Sequence, residues 1–246
     1  MKVLSSENSL RLLMRPNLVY LISTIGRVNS SQYVNVAPFG LVMEVSHTPA
    51  RVALSLKHNT DTFQNIVQGR DFVLNVCDSS MKQIAISCSS NVPRGISEID
   101  FIKQFKLELT PFCCRSIDSQ VPGLMESPIN IWCRLIDGKI LTLDEGRVSN
   151  PLQRSLLVAD VLGTTCDREV VAQYCGVSRL LPEMPLLLHY GAGVYGETRC
   201  TEDHPCELYP RLLSEMNREI SSSQVETVDQ HYSNVPMTEH FEIQTI

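Results

Sequence analysis

The sequence predicts a mainly β protein built on one closed or nearly closed antiparallel barrel with flanking helices. Short runs rich in Val, Ile, Leu, Tyr and Phe recur along the chain, separated by Gly, Asn, Ser and Pro, as is typical of short strands. The helical patterns between them are too sparse for the alternating strands and helices of a parallel sheet. With 246 residues, 43% of them apolar and 20% charged, the chain is long enough to bury such a core.

The first third of the chain contains four strand patterns and one helix. Strands are predicted in NLVYLISTIG, YVNVAPFGLVMEV, RVALSLK and DFVLNV, which lie between residues 17 and 76. In TDTFQNIVQG, residues 60–69, the side chains of Phe63, Ile66 and Val67 share one helical face, and Gly69 ends the helix. A polar loop therefore runs from the third strand pattern directly into a helix N-terminus.

The rest of the chain continues the strand pattern and then changes in composition. Two short helices and two long strands are predicted, over residues 81–89, 97–105, 127–148 and 155–165. After Cys200 the composition becomes polar, with one amphipathic pattern over residues 209–220. We expect one domain over residues 1–200 and a C-terminal helical and polar extension over residues 201–246, which docks on the barrel or on a neighbouring subunit.

The composition argues against nucleic acid and membrane partners. The net charge is −6, and the 21 Lys and Arg residues are scattered along the chain, so nucleic acid is not an expected ligand. No apolar run approaches the roughly 18 residues that span a bilayer, and the N-terminus is too polar for a signal peptide. We therefore expect a cytoplasmic protein.

The nine cysteines indicate free thiols and not a disulfide framework or a metal site. Their number is odd and no C-x-x-C pair occurs, which favours a reducing compartment. Cys200, His204 and Cys206 are residue types that suit zinc, but their spacing fits no standard finger and a fourth ligand is not evident. No metal is expected.

A G-x-G-x-x-G motif, Gly191 to Gly196, follows an apolar run near the end of the domain. In a dinucleotide-binding fold this motif opens a helix, whereas here a polar segment with Pro205 follows it. Tyr195 also places a large side chain where the backbone has to approach a pyrophosphate. The motif therefore does not predict a dinucleotide site, and its glycines need another explanation.

Two other segments carry candidate binding groups, each with a plainer structural alternative. In NVAPFG, residues 35–40, Pro38 lacks an N–H, so the segment is a strand edge or bulge, or its open main-chain groups contact a flat heteroaromatic ring. In SLKHNTDTFQNI, residues 55–66, the helix N-terminus with Lys57 and two threonines suits a phosphate, or Thr60 or Asp61 is an N-cap only.

In combination, these segments resemble the flavin reductase-like family of FMN-binding split-barrel proteins. The resemblance covers about residues 15–200 and is carried by YVNVAPFGLV, ARVALSLKHNTDTFQNIVQGRDFVLNV, SSNVPRGISEIDF and ESPINIWCRL. It implies a six-stranded antiparallel Greek-key split β-barrel with flanking helices. It also implies a homodimer that holds FMN close to the subunit interface.

The resemblance also implies which residues bind the flavin. Those expected to line the ring, border the ribityl chain or approach the phosphate are Asn35, Val36, Ala37, Pro38, Phe39, Ser55, Leu56, Lys57, Thr60, Thr62 and Asn65. The segment LLLHYGAGVYG is similar to the family's last barrel strand, so its glycines would serve close packing. Some reductases of the family carry His directly after the Tyr that corresponds to Tyr195, and this chain has Gly196 there. His189 is a candidate catalytic residue in its place.

The expected function is an NAD(P)H-dependent FMN reductase that transfers hydride from nicotinamide to flavin. The absence of G-x-S-x-G, H-E-x-x-H and Walker motifs agrees with chemistry carried by a cofactor. One alternative is a flavoredoxin-like FMN protein without its own nicotinamide site, which exchanges electrons with an acceptor protein. Another is a dimeric barrel that has kept only the fold.

Overall fold

The computed structural model describes residues 16–90, 92–101, 108–111, 119–142, 153–166, 171–174, 177–180, 184–191 and 194–198. Its strands are β1 Asn17–Leu18, β2 Tyr20–Val28, β3 Ser31–Phe39, β4 Val42–His47, β5 Ala50–Lys57, β6 Asp71–Val76, β7 Leu109–Thr110, β8 Gly123–Leu124, β9 Ile129–Thr142, β10 Arg154–Cys166, β11 Val171–Tyr174, β12 Val177–Leu180, β13 Leu187–Gly191 and β14 Val194–Glu197. Its helices are α1 Asp61–Gly69, α2 Lys82–Ser87, preceded by a 3₁₀ turn at Ser79–Met81, and α3 Glu98–Phe101. The predicted extension over residues 201–246 lies outside the described residues and stays a prediction.

Seven strands form the main sheet, in the order β3-β2-β6-β9-β10-β5-β4. Every neighbouring pair is antiparallel, and β3 and β4 are the two edges, so the barrel is not closed among the described residues. The prediction of a mainly β split barrel with flanking helices is confirmed. The sheet has seven strands where the resemblance implies six, and the single predicted run YVNVAPFGLVMEV divides into β3 and β4.

The division falls at Gly40 and Leu41, between two strands that go to opposite edges of the sheet. A Cβ atom on Gly40 would lie 3.2 Å from Cβ of Asn17 and 3.3 Å from the Leu18 carbonyl oxygen. These distances are tighter than ordinary side-chain contacts, so glycine allows the chain to pass close to β1 as it leaves β3.

Both faces of the sheet are buried at strand β2. Leu21 packs in one core cluster with residues of α2, and the next residue, Ile22, packs in a second cluster with Ile66 of α1. Alternation along the strand sends these two side chains to opposite faces. The helices α1 and α2 therefore lie on the two sides of the sheet, as the apolar run in β2 requires.

The glycine motif lies in a second, three-stranded sheet with the order β1-β13-β14. Strands β13 and β14 form an antiparallel hairpin, in which His189 is opposite Tyr195 and Leu188 is opposite Gly196. A dinucleotide fingerprint needs a helix and a parallel strand at this point. The described part of the motif instead continues in an antiparallel strand, which confirms that it is not a dinucleotide turn.

No helix of the described residues is long and apolar enough to cross a membrane.

Candidate functional site

A cavity of about 640 Å³ opens between the edge strand β3, the end of β5 and the N-terminus of α1. Its wall is completed by the residues after α2, by α3 and by β13. Eight of the eleven residues expected to bind flavin line it: Asn35, Ala37, Pro38, Phe39, Ser55, Lys57, Thr60 and Thr62. Segments that are distant along the chain therefore meet at one place.

Strand alternation explains which residues of β3 and β5 line the cavity, except Pro38, which lies two residues from Val36 and also lines it. Asn35, Ala37 and Phe39 are two residues apart and share a face of β3, and Ser55 and Lys57 share a face of β5. Val36 and Leu56 point to the opposite faces of these strands, and both are fully buried in apolar clusters. Their side chains therefore do not line the cavity.

Asn65 is the third expected residue whose side chain lies away from the cavity. It is buried in α1, one turn beyond the cavity wall, and its Nδ2 donates to Oγ1 of Thr24 on β2 at 3.1 Å. This hydrogen bond attaches α1 to the sheet. Asn65 thus supports the site from behind in this structure.

The outer edge of β3 carries main-chain N–H and C=O groups that point away from the sheet, and Pro38 lacks the N–H. Strand β3 ends the sheet order, so the NVAPF segment is a strand edge, one of the two structural alternatives for it. The N–H of Val36 points away from β2 and donates to Oε2 of Glu98 at 2.9 Å. Two residues further on, Pro38 occupies the equivalent outward position, where its missing N–H leaves no donor without a partner.

A buried hydrogen bond joins β3 to α1 inside the cavity. Nδ2 of Asn35 donates to Oγ1 of Thr62 at 3.1 Å, and each residue is only 1% exposed. The Thr62 oxygen accepts this bond, so its own proton is available to a ligand. The segment expected at the ring and the segment expected at the phosphate are therefore connected directly.

Thr60 is the N-cap of α1. Its Oγ1 accepts from the N–H of Phe63 at 3.3 Å and donates its single proton to the carbonyl of Lys57 at 2.8 Å. The expectation that Thr60 or Asp61 caps the helix is confirmed for Thr60. The N–H groups of Asp61 and Thr62 have no intrahelical acceptor and remain as donors at the helix start.

Two cationic side chains line the same end of the cavity. Lys57 at the end of β5 is paired in register with Arg154 at the start of β10, and Nη1 of Arg154 donates to the Ser55 carbonyl at 3.1 Å. Opposite them lies Asp61, whose Oδ1 is 3.7 Å from Nη1 of Arg94. Arg94 offsets the Asp61 charge, so Lys57 and Arg154 favour an anion at the helix N-terminus.

The wall also contains residues that the sequence patterns do not single out, among them Glu98 and Cys88. Burial raises the pKa of the Glu98 carboxyl, while its bond from the Val36 N–H acts in the opposite direction. Burial raises the pKa of the Cys88 thiol to about 12, so it is not a nucleophile near neutral pH. A strand start and a four-residue helix give Arg154 and Glu98 no local signal of a binding role.

His189 lies in the cavity wall on β13, next to Tyr195 of the following strand. The two ring centroids are 5.0 Å apart, with the planes tilted by 37°. The structure thus brings the candidate catalytic histidine to the same cavity as the expected flavin residues. Its catalytic role stays a prediction.

No group of three or more metal-ligating side chains occurs among the residues that the structure describes. Cys200, His204 and Cys206, the residues whose types suit zinc, lie outside the described residues. The four described cysteines, Cys77, Cys88, Cys133 and Cys166, are free thiols, as expected, and only Cys166 is exposed.

Comparison with known proteins gives one family and a set of similar folds. A family model described as a flavin reductase-like domain matches residues 14–194. No curated protein shows significant similarity to the sequence.

Several solved structures share the fold at low sequence identity. A 2-nitrobenzoate 2-nitroreductase from Pseudomonas fluorescens is 22% identical, with 83% of this chain and 94% of that chain covered and a TM-score of 0.62. An FMN-binding protein from Thermus thermophilus, with bound p-hydroxybenzaldehyde, is 18% identical over 78% and 92% of the two chains, with a TM-score of 0.58. A flavoredoxin from Methanosarcina acetivorans is 16% identical over 86% and 98%, with a TM-score of 0.60.

Proposed function

Since the chain belongs to the flavin reductase-like domain family, we propose that it binds FMN in the cavity and acts as an NAD(P)H-dependent flavin reductase. The observation that carries this proposal is that one cavity combines two kinds of wall. One wall has Lys57, Arg154 and the start of α1, and another is the alternating face of β3. This arrangement suits a molecule with an anion at one end and a flat ring at the other.

The residues present fit the phosphate of FMN. A phosphate dianion needs several donors and positive charge, and the cavity offers two cations, the Thr62 hydroxyl and the N–H groups at the start of α1. Thr60 contributes through the helix start and not through its hydroxyl, because its only proton is bonded to the Lys57 carbonyl.

The residues present also fit the ring. Ala37 and Phe39 give an apolar surface on β3, and Asn35, held by Thr62, presents a fixed polar group beside it. The volume of about 640 Å³ lies within the range of small-molecule cofactor sites, roughly 300–1,000 Å³. Bound FMN supplies the hydride chemistry, and the chain holds the ring in place and limits its contact with water.

An anaerobic titration tests this function. The FMN-loaded protein is mixed with NADH or with NADPH, and the flavin absorbance is followed. Loss of the oxidised flavin absorbance in proportion to added nicotinamide supports the reductase. A protein that purifies without flavin and does not bind added FMN contradicts the proposal.

The second candidate function is a flavoredoxin-like electron-transfer protein. It is favoured by Gly196, which occupies the position where some reductases of the family carry His. Gly196 is on β14, opposite Leu188 of β13. In this case the FMN-loaded protein would not react with either nicotinamide but would accept electrons from a reduced protein or from dithionite. The same titration separates the two candidates.

We also propose that a second copy of the chain covers the exposed apolar side chains near the cavity. Met43, Val45 and Leu141 are 52–60% exposed, and Leu41, itself 43% exposed, lines the cavity. Met43 and Val45 lie on the edge strand β4, just after Leu41, and exposed apolar side chains on a strand edge suit an interaction surface. A copy seated there would complete the cavity, so the protein is proposed to be a homodimer.

A further inference from the structure

We propose that the short helix α3 clamps the outer edge of β3, so that Glu98 is a positioning residue for the strand wall of the FMN cavity. This inference rests on the proposed binding of FMN in the cavity. Glu98 lies in SSNVPRGISEIDF, one of the segments that carry the resemblance, but it is not among the residues expected to bind flavin.

The clamp consists of two hydrogen bonds to the edge strand. The Ser97 hydroxyl donates to the Val34 carbonyl, and Oε2 of Glu98 accepts from the Val36 N–H at 2.9 Å. These two main-chain groups are on either side of Asn35. An edge strand ordinarily leaves such outward groups to water, so here side chains take the place of a missing neighbouring strand.

The two side chains that make these bonds are held in place by a further hydrogen bond and by burial. The Ser97 oxygen accepts the Ile99 N–H at 3.3 Å, which starts the helix. Ser97 is 6% exposed and Glu98 is 8% exposed. A carboxylate at this depth is costly unless it is hydrogen-bonded, and the Val36 N–H provides that bond. Ser97 and Glu98 therefore hold β3 more firmly than exposed side chains could.

The position of the clamp connects it with the cavity. The Glu98 side chain lines the cavity, and the residue between the two clamped groups, Asn35, carries the bond to Thr62. A shift of β3 away from α3 would move Asn35 and Ala37, which face the ring. The clamp therefore fixes the wall before a ligand arrives.

Amide hydrogen exchange in the ligand-free full chain tests the clamp directly. In Glu98→Ala the Val36 amide is expected to exchange about tenfold faster or more, because it loses a charge-assisted hydrogen bond. The Ala37 amide, which points toward β2, is expected to keep its protection. Glu98→Gln retains an acceptor oxygen and is expected to restore the protection of Val36.

A matched control is available on the same helix. Asp100 is exposed, and its side chain makes no hydrogen bond to the described residues, so Asp100→Ala is expected to leave the Val36 amide unchanged. Unchanged Val36 exchange in Glu98→Ala overturns the clamp. Equal acceleration of Val36 and Ala37 also overturns it, because that pattern indicates a general loss of stability.

FMN affinity supplies the second measurement, by quenching of flavin fluorescence. Glu98→Ala is expected to weaken binding about tenfold or more, and Glu98→Gln to restore most of it, with the spectrum of bound flavin returning to that of the unmodified protein. Faster Val36 exchange with unchanged affinity overturns Glu98 as a positioning residue for FMN. If the unmodified protein does not bind FMN, the proposed function fails, while the exchange experiment still decides whether the clamp exists.

Discussion

The two ends of the cavity satisfy their main-chain groups in different ways. At the strand end, which is β3, the outward groups on either side of Asn35 are bonded to the side chains of Ser97 and Glu98, at the start of α3. At the start of α1, the Thr60 cap satisfies only the Phe63 N–H and leaves the two preceding N–H groups as donors. The strand end is therefore fixed in advance, whereas the helix end keeps its donors for a ligand.

This difference supports the orientation proposed for FMN. A ring gains most from a rigid, shaped wall, because little ordering is needed when it binds. A phosphate gains most from open donors and positive charge, and Lys57 and Arg154 lie at the helix end. The hydrogen bond between Asn35 and Thr62 connects the two ends, and the riboflavin control below tests whether a change at Thr62 also affects the ring.

The largest expected effect is dissociation of the dimer by a charge on the exposed apolar surface. Met43→Glu places a carboxylate where the second copy is proposed to pack, so the dimer dissociation constant is expected to rise at least about tenfold. Sedimentation velocity at several concentrations measures this, and FMN is expected to be lost as monomers form.

The control for this substitution is Met125→Glu. Met125 is 59% exposed, as against 60% for Met43, but it lies outside β4 and β9. The substitution Met125→Glu is expected to leave the dimer intact. An unmodified protein that sediments as a monomer and still retains FMN contradicts the dimer.

The next effect is on the helix end of the cavity. Thr62→Val removes the hydroxyl with little change in shape, and a hydrogen bond to a charged group is worth on the order of 1.5–3 kcal/mol, so FMN affinity is expected to fall roughly ten- to a hundredfold. Riboflavin lacks the phosphate, and its affinity is expected to change much less. Thr62→Ser keeps the hydroxyl and serves as the control in the same fluorescence titration.

If FMN and riboflavin lose the same affinity in Thr62→Val, Thr62 acts on the ring through Asn35 and not on the phosphate. The helix end would then have no demonstrated anion site. This outcome would remove the distinction between the two ends.

A smaller effect on binding is expected for the neighbouring threonine. Thr60→Ala removes the N-cap, which costs about 1 kcal/mol of the free energy of unfolding. Its hydroxyl is bonded to the Lys57 carbonyl and not free for a ligand, so FMN affinity is expected to change less than in Thr62→Val. Denaturant unfolding and fluorescence titration of the same variant measure both quantities.

A loss of FMN affinity in Thr60→Ala as large as that in Thr62→Val would contradict this assignment. Thr60→Ser retains a capping hydroxyl and is expected to keep both properties.

Local patterns in the sequence were sufficient to predict the strands of the main sheet, the helices and part of the cavity wall, but not the short strands β7, β8, β11 and β12. Alternation predicted the strands, the spacing of Phe63 and Ile66 predicted α1, and the missing N–H of Pro38 predicted an edge. Alternation also distinguishes Val36 and Leu56, which face the core, from the neighbouring residues that line the cavity.

The remaining features depend on contacts between distant parts of the chain. Glu98 meets Val36 across 62 residues and Arg154 meets Ser55 across 99 residues, and register of this kind leaves no local signal. The division of the run YVNVAPFGLVMEV into two strands was missed for the same reason. Gly40 and Leu41 read as part of a continuous run, and only the sheet order shows that β3 and β4 lie at opposite edges.

The smallest expected effect compares the pH dependence of the strand end in two forms of the protein. Burial raises the pKa of Glu98 above its ordinary value of 4.5. Between that value and its folded pKa, the native state binds more protons than the unfolded state, so this group lowers the free energy of unfolding as pH rises. Its effect is absent below about pH 4 and complete above the folded pKa. Denaturant unfolding of the unmodified protein and of Glu98→Gln, from pH 4 to 8, is expected to show a difference that shifts in favour of the variant as pH rises. A difference that does not change with pH would show that burial at the clamp places no cost on the Glu98 charge.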